Sequence, residues 1–163
     1  MKNIFIAFFV LFSLLGLISG ASAVVERTIT DEEYNRRATW VALAEVVEIH
    51  SFWRDNRILS RVTLAAQVLY RGSSSTVALL VPGGTVGHLS QVVPGGPKFA
   101  VGELSLYALE PIENSGDHRL VGFSQGKLDD WLKIQTRIGV WQKRGWLQTG
   151  GEGYAPSGLE SRR

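Results

Sequence analysis

The chain of 163 residues contains no cysteine, which excludes disulfides, thiolate metal sites, a cysteine nucleophile and the lipidated cysteine of a lipoprotein. Charge of either sign is nearly balanced, at a formal net +2, too small an excess for a general polyanion binder, so no nucleic-acid partner is expected. Long apolar runs are also scarce. The single example, Ile4 to Ile18, falls short of the roughly 20 residues that a membrane-spanning helix needs. With Lys2 ahead of it and the small-x-small site Ala21-Ser22-Ala23 behind it, this run has the form of a cleaved secretory signal over residues 1–23. The mature protein is then expected to begin at Val24 and to be secreted or periplasmic, with no transmembrane anchor. An exported domain without disulfides fits a bacterial periplasm or culture medium.

Residues 24–146 are enough for one domain with a hydrophobic core. Thr30-Asp31-Glu32-Glu33 matches a capping box and predicts a short helix from Asp31 to Ala38. From Thr39 to Phe52 the chain is rich in β-branched and aromatic residues and apolar on both alternating faces, as in a central strand. Arg54-Asp55-Asn56-Arg57 is a polar turn. Ile58 to Tyr70 then alternates, with Val62, Leu64, Ala66, Val68 and Tyr70 on one side. After a turn at Gly72 to Ser75, further strands are expected at Thr76–Val81, at Phe99–Val101 with Leu104–Leu109 around a bend at Gly102, and at Arg119–Phe123. Between Lys127 and Gln142, Leu128, Trp131, Leu132 and Ile138 fit a helix, whereas Leu128, Trp131, Ile134 and Ile138 could also cover a sheet. A strand followed by irregular structure is the expectation there. Residues 147–163 lack apolar periodicity and read as a disordered tail. Five or six strands without βαβ alternation predict a mainly β fold: a small antiparallel, OB-like barrel with a short N-terminal helix, a β-sandwich being the alternative.

VPGG occurs twice, at Val81 and Val93, and proline and glycine there can build tight turns around the excursion Thr85–Val93. Val86, Leu89, Val92 and Val93 are too apolar for an idle solvated loop, so this excursion is the candidate partner surface, with His88 inside it. Its plain alternative is a loop that only crosses between strands. Of the five tryptophans, Trp40 belongs with apolar neighbours in the core, while Trp53, Trp141 and Trp146 stand near charged residues and are candidates for exposed binding positions.

Catalytic and metal motifs are thin. Gly122-Phe123-Ser124-Gln125-Gly126 matches the nucleophile elbow of serine hydrolases, but His118 lies upstream of the serine, against the chain order of that fold, and a serine hydrolase is the lowest-ranked reading. His50, His88 and His118 are too scattered for a local metal site. No catalytic residue, cofactor or metal is therefore expected, and the protein is expected to bind rather than to catalyse.

ALAEVVEI, VTLAAQVLYRG, VPGGTVG, PKFAVGE with Leu106, and LVGFSQGK together resemble the recurring elements of a group of poorly characterised secreted bacterial β-barrel proteins, from a valine-rich first strand to a V-G-x-x-Q-G-K close. The helix-then-barrel order is also similar, more distantly, to the OB-like netrin-type modules of tissue inhibitors of metalloproteinases. Those inhibitors place a cysteine amine and carbonyl on the protease zinc, a mode that a chain without cysteine does not share. What the resemblance implies is a binding or inhibitory barrel with a protein partner, an exported protease. The alternative is a carbohydrate-binding or cell-envelope structural protein.

Overall fold

The structure, a computed structural model, describes residues 28–147; the signal segment and all of the expected tail except the buried Leu147 lie outside the described residues. The elements are α1 (Asp31–Arg37), β1 (Trp40–Arg54), β2 (Arg57–Arg71), β3 (Thr76–Pro82), β4 (Gly84–Val86), β5 (Leu89–Gln91), β6 (Leu104–Pro111), β7 (His118–Leu120), β8 (Lys127–Leu128) and α2 (Trp131–Lys143). Strands β1, β2, β3, β7 and β6 close into a ring, β6 returning to pair with β1, and β4 with β5 form a separate small hairpin. The mainly β, OB-like barrel with a short N-terminal helix is thus the observed fold.

Local chemistry explains the elements. Thr30 caps α1 by accepting from the Glu33 N–H at 3.2 Å, with acids in the first turn and Arg36 and Arg37 in the last, both favourable to the helix dipole. Asp55 and Asn56, at φ 48° and 57°, make the two-residue turn that matches the twist of the long β1–β2 hairpin. A ring of five strands cannot be antiparallel at every joint, because direction must alternate and five is odd. The one parallel joint falls between β3 and β7, at Leu79 and His118.

Two hydrophobic clusters result. One fills the barrel with Trp40, Ala44, Leu64, Leu79, Tyr107 and Leu109 among others. The second lies on the outside of the ring, where Val41, Leu43 and Leu106 meet Tyr34 of α1 and Ile134 and Trp141 of α2. Strand β1 is apolar on both faces because it serves both clusters.

Four expectations change, the simplest being that the strand expected at Arg119–Phe123 is only His118–Leu120, with turns from Val121 on. The stripe Val62 to Tyr70 is broken at Gln67, where the register passes from Ala44↔Ala66 to Leu43↔Val68; the extra residue turns Val68 and Tyr70 to the outer cluster. Phe99–Val101 is no strand, since Gly102 at φ 83° makes a turn and Phe99 instead stacks on Tyr107 at 6.3 Å. Residues 127–142 are not a strand with irregular structure: the strand is only Lys127–Leu128, and Asp130 then caps α2, its side chain accepting from the Lys133 N–H at 3.1 Å. Ile134, Ile138 and Trp141 are a helical stripe that covers the outer cluster.

Candidate functional site

The hairpin β4–β5 lies across one end of the barrel, and a chain of hydrogen bonds ties it there. Ser51 of β1 and Ser60 of β2 face each other with hydroxyls 2.8 Å apart, and Ser60 donates onward to the Gly83 carbonyl at 2.8 Å. The Gly83 N–H donates to the Ile58 carbonyl at 2.8 Å, and the Ile58 N–H donates to Oε1 of Gln91, also at 2.8 Å. The first PGG turn is built for this approach. Gly83 has φ 97° and Gly84 φ 132°, and a Cβ on Gly84 would stand 2.2 Å from the Ser60 hydroxyl and 2.4 Å from that of Ser51. Only glycine lets the hairpin lie against the serine pair.

Between hairpin and barrel is a cavity of about 460 Å³. Its floor is Ile49, Val62 and Val81, inward-facing residues of the barrel, and its rim carries Thr85, Gln91 and Lys98. Lys127 covers the neighbouring loop, its ammonium paired with Glu103 and 5.5 Å from the Phe99 ring centre. Burial first, and then the Glu103 charge, hold the Tyr107 phenol well above its ordinary range. That phenol stays neutral at any physiological pH.

The expected partner-binding residues fall into two groups. Val86, His88 and Leu89 sit together at the hairpin tip, Val86 half-buried and His88 and Leu89 exposed, Leu89 at 49%. Trp53 is 52% exposed on the adjoining β1–β2 tip, two residues beyond Ser51 and on the same face of the strand. Trp141 and Trp146 do not join them. Trp141 is only 4% exposed, packed on Tyr34 with ring centres 5.7 Å apart, which corrects its placement on a binding surface. Trp146 is half-buried against the same outer cluster, with Arg144 stacked over it. Their charged neighbours suggested solvent, whereas α2 turns the Trp141 indole inward, the turn at Gly145 returns Trp146 to the same cluster, and Lys143 and Arg144 are left outside.

Sequence reasoning missed the serine pair. The serines had a signal, being polar residues on inward positions of otherwise apolar stripes. The Gly122–Gly126 segment is a series of turns leading to β8 rather than a strand, an elbow and a helix. Gly126 fits there because a Cβ would stand 2.7 Å from the Ala108 carbonyl oxygen. Among the described residues no group of three or more His, Asp or Glu is placed to hold a metal ion. No protein-family model, curated protein or solved structure matches the chain.

Proposed function

We propose that this protein is an exported binding module that engages a protein partner through the barrel end formed by the β4–β5 hairpin and the β1–β2 tip. The observation that carries the reading is the apolar surface left there: Trp53, Leu89 and Val92, the last at 83% exposure, stand on two turns that hydrogen bonds hold in register. An apolar cluster on a fixed support is the usual form of an interaction site. The partner class we place first is an exported protease, on the strength of the sequence resemblance. A saccharide is less well served, because a flat sugar-stacking surface is best made by several exposed rings and, of the five tryptophans, only Trp53 is exposed.

The test is site-specific photo-crosslinking in the exporting cell. A photoreactive residue at Leu89 or Trp53 is expected to capture one partner, and one at Lys133 on α2 is expected to capture none. If the captured partner is a protease, the purified protein should slow its hydrolysis of casein and the Leu89→Asp variant should not. Equal capture from all three positions, or none from any, removes the reading. Export itself is checked by intact mass, expected to show a chain beginning at Val24.

A further inference from the structure

The parallel joint of the ring stops after one bridge, and the reason is a proline. The bonds Gly83 N–H to Ile58 carbonyl (2.8 Å) and Ala66 N–H to Ser75 carbonyl (2.7 Å) set the phase of the β2–β3 ladder. Val77, Leu79 and Val81 therefore commit their backbone groups to β2, while Ala78, Leu80 and Pro82 turn theirs toward β7. By the same reasoning, Val121 N–H to Ala108 carbonyl (3.0 Å) and Ile112 N–H to Asp117 carbonyl (2.9 Å) leave His118 and Leu120 facing β3. After the Leu79–His118 bridge, the ladder would continue with Pro82 donating to the Leu120 carbonyl. Proline has no N–H to donate. Pairing ends, and a cleft of about 450 Å³ opens there, with Leu59, Leu80 and Pro82 on one side and Leu120, Phe123 and Arg119 on the other.

Arg119 gives the cleft its chemistry. Its Nε donates to Oε1 of Glu110 at 2.7 Å, and Glu110 is itself gripped by Arg37 through two bonds of 2.8 Å. The guanidinium is thus oriented through one nitrogen, and its two terminal nitrogens have no hydrogen-bond or ion-pair partner among the described residues. Apolar walls, a preset fork of donors and a strand-edge acceptor at Leu120 converge on one ligand.

We propose that this cleft captures the C-terminal residue of a partner polypeptide. The carboxylate lies on the Arg119 fork, the apolar side chain between Leu59, Leu80 and Phe123, and the last peptide N–H on the Leu120 carbonyl that Pro82 leaves unpaired. An exposed arginine alone would hold a carboxylate weakly in water, and the apolar walls supply the rest. The volume suits one or two residues, at the lower end of ligand pockets of roughly 300–1,000 Å³. The inference holds whether or not the hairpin end has a partner.

The experiment is an NMR titration of the ¹⁵N-labelled protein with N-acetyl-Ala-Ala-Leu as the free acid, as its C-terminal amide, and with isovalerate. The free acid is expected to shift the amide signals of Leu80, Arg119, Leu120 and Phe123 and to bind about tenfold more tightly than the amide. Arg119→Gln should abolish that difference while its spectrum away from the cleft stays unchanged, and Arg119→Lys should keep only part of it. Equal affinity for acid and amide, shifts confined to other regions, or no binding of the free acid overturns the proposal. Isovalerate binding as tightly as the tripeptide acid overturns it too, since the site would then read a small acid and not a peptide end. Should Arg119→Gln fail to fold, the acid–amide comparison on the unaltered protein still decides.

Discussion

From Trp40 to Val46 strand β1 is buried, with only Glu45 half-exposed, whereas from Val47 to Arg54 every residue is exposed or half-buried. The same two strands, β1 and β2, run through both regions. At the root, β1 lies between two apolar clusters, and its position follows from packing on both faces. Toward the tip burial passes to β2 alone, through Ile58 and Ser60. Beyond Glu45 strand β1 no longer has β6 beside it, while β2 stays paired with β3 as far as Leu59, and what fixes the hairpin against these strands is a few hydrogen bonds among Ser51, Ser60, Gly83 and Gln91. A root held by packing tolerates little change, while a tip held by polar links can present apolar side chains to a partner without burying them. This division of labour can be broken from either side.

The largest effect should come at the root. Gly126 lies where the chain returns against β6, and a Cβ would stand 2.7 Å from the Ala108 carbonyl oxygen and 2.8 Å from the Val121 nitrogen. Both are backbone atoms of the ring and cannot swing away. Gly126→Val is expected to cost at least about 3 kcal/mol, at the upper end of overpacking effects. Gly122→Val should cost less despite its φ of 67°, because the Cβ would meet the Ile29 side chain, which can turn. Urea unfolding of both variants checks the order; equal losses would mean that the root is softer than its packing implies.

A smaller effect is expected where the tip joins the barrel. Gly84→Ala places a methyl on the serine pair at a φ of 132° that side chains rarely adopt. About 1–3 kcal/mol follows from the strained backbone. The loss should be local. Amide exchange at Gly83 should accelerate, with Leu43 and Leu106 still protected; uniform acceleration would show that hairpin and root open together.

Acid should weaken the ring at the Glu110 cluster. Hydrogen bonds from Arg37 act first and hold the Glu110 carboxyl below its ordinary 4.5, against burial, which pushes it up, and with help from Arg119. A carboxyl with a lowered folded pKa leaves the unfolded chain holding more protons, so its stabilisation is complete above 4.5 and disappears as pH falls through the lower folded value. Melting temperature should therefore drop below about pH 4.5 more steeply in the unaltered protein than in Glu110→Gln. Parallel curves would show that the cluster does not couple protonation to folding.

How legible each region was follows from the same contrast. The root was readable because two-sided burial writes a continuous apolar run, TWVALAEVV, and the capping box and the Asp55-Asn56 turn are local chemistry. Helix α2 was obscured because its stripe of Trp131, Ile134, Ile138 and Trp141 had to be separated from Leu128, which packs on the same cluster from β8, and from Leu132, which the helix leaves exposed. The bulge at Gln67 could not be read, since it answers the geometry of β1 and not its own neighbours. At the tip, the apolar excursion between the two PGG turns was visible as unusual, and so was Trp53. That Trp141 belongs elsewhere depends on which face of α2 meets Tyr34, a tertiary fact.

The smallest change in stability should accompany the largest proposed change in function. Leu89 is half-exposed at the hairpin tip, and no hydrogen bond of the serine chain depends on its side chain. Leu89→Asp replaces apolar surface with a charge that water can reach, so the cost should stay within about 0.5 kcal/mol, as for most surface substitutions. A leucine folded inward as a lid on the cavity would behave otherwise, because burying an aspartate without a partner costs several times as much. Thermal melts therefore decide first whether the residue belongs to the tip or to the barrel. If the melt is unchanged, loss of the photo-crosslink normally captured from Trp53 follows from a shared surface, since the Ser51–Thr85 approach at 3.4 Å brings the hairpin beside that tip. A normal melt with an undiminished crosslink would separate Trp53 from the hairpin and confine any partner to the β1–β2 turn.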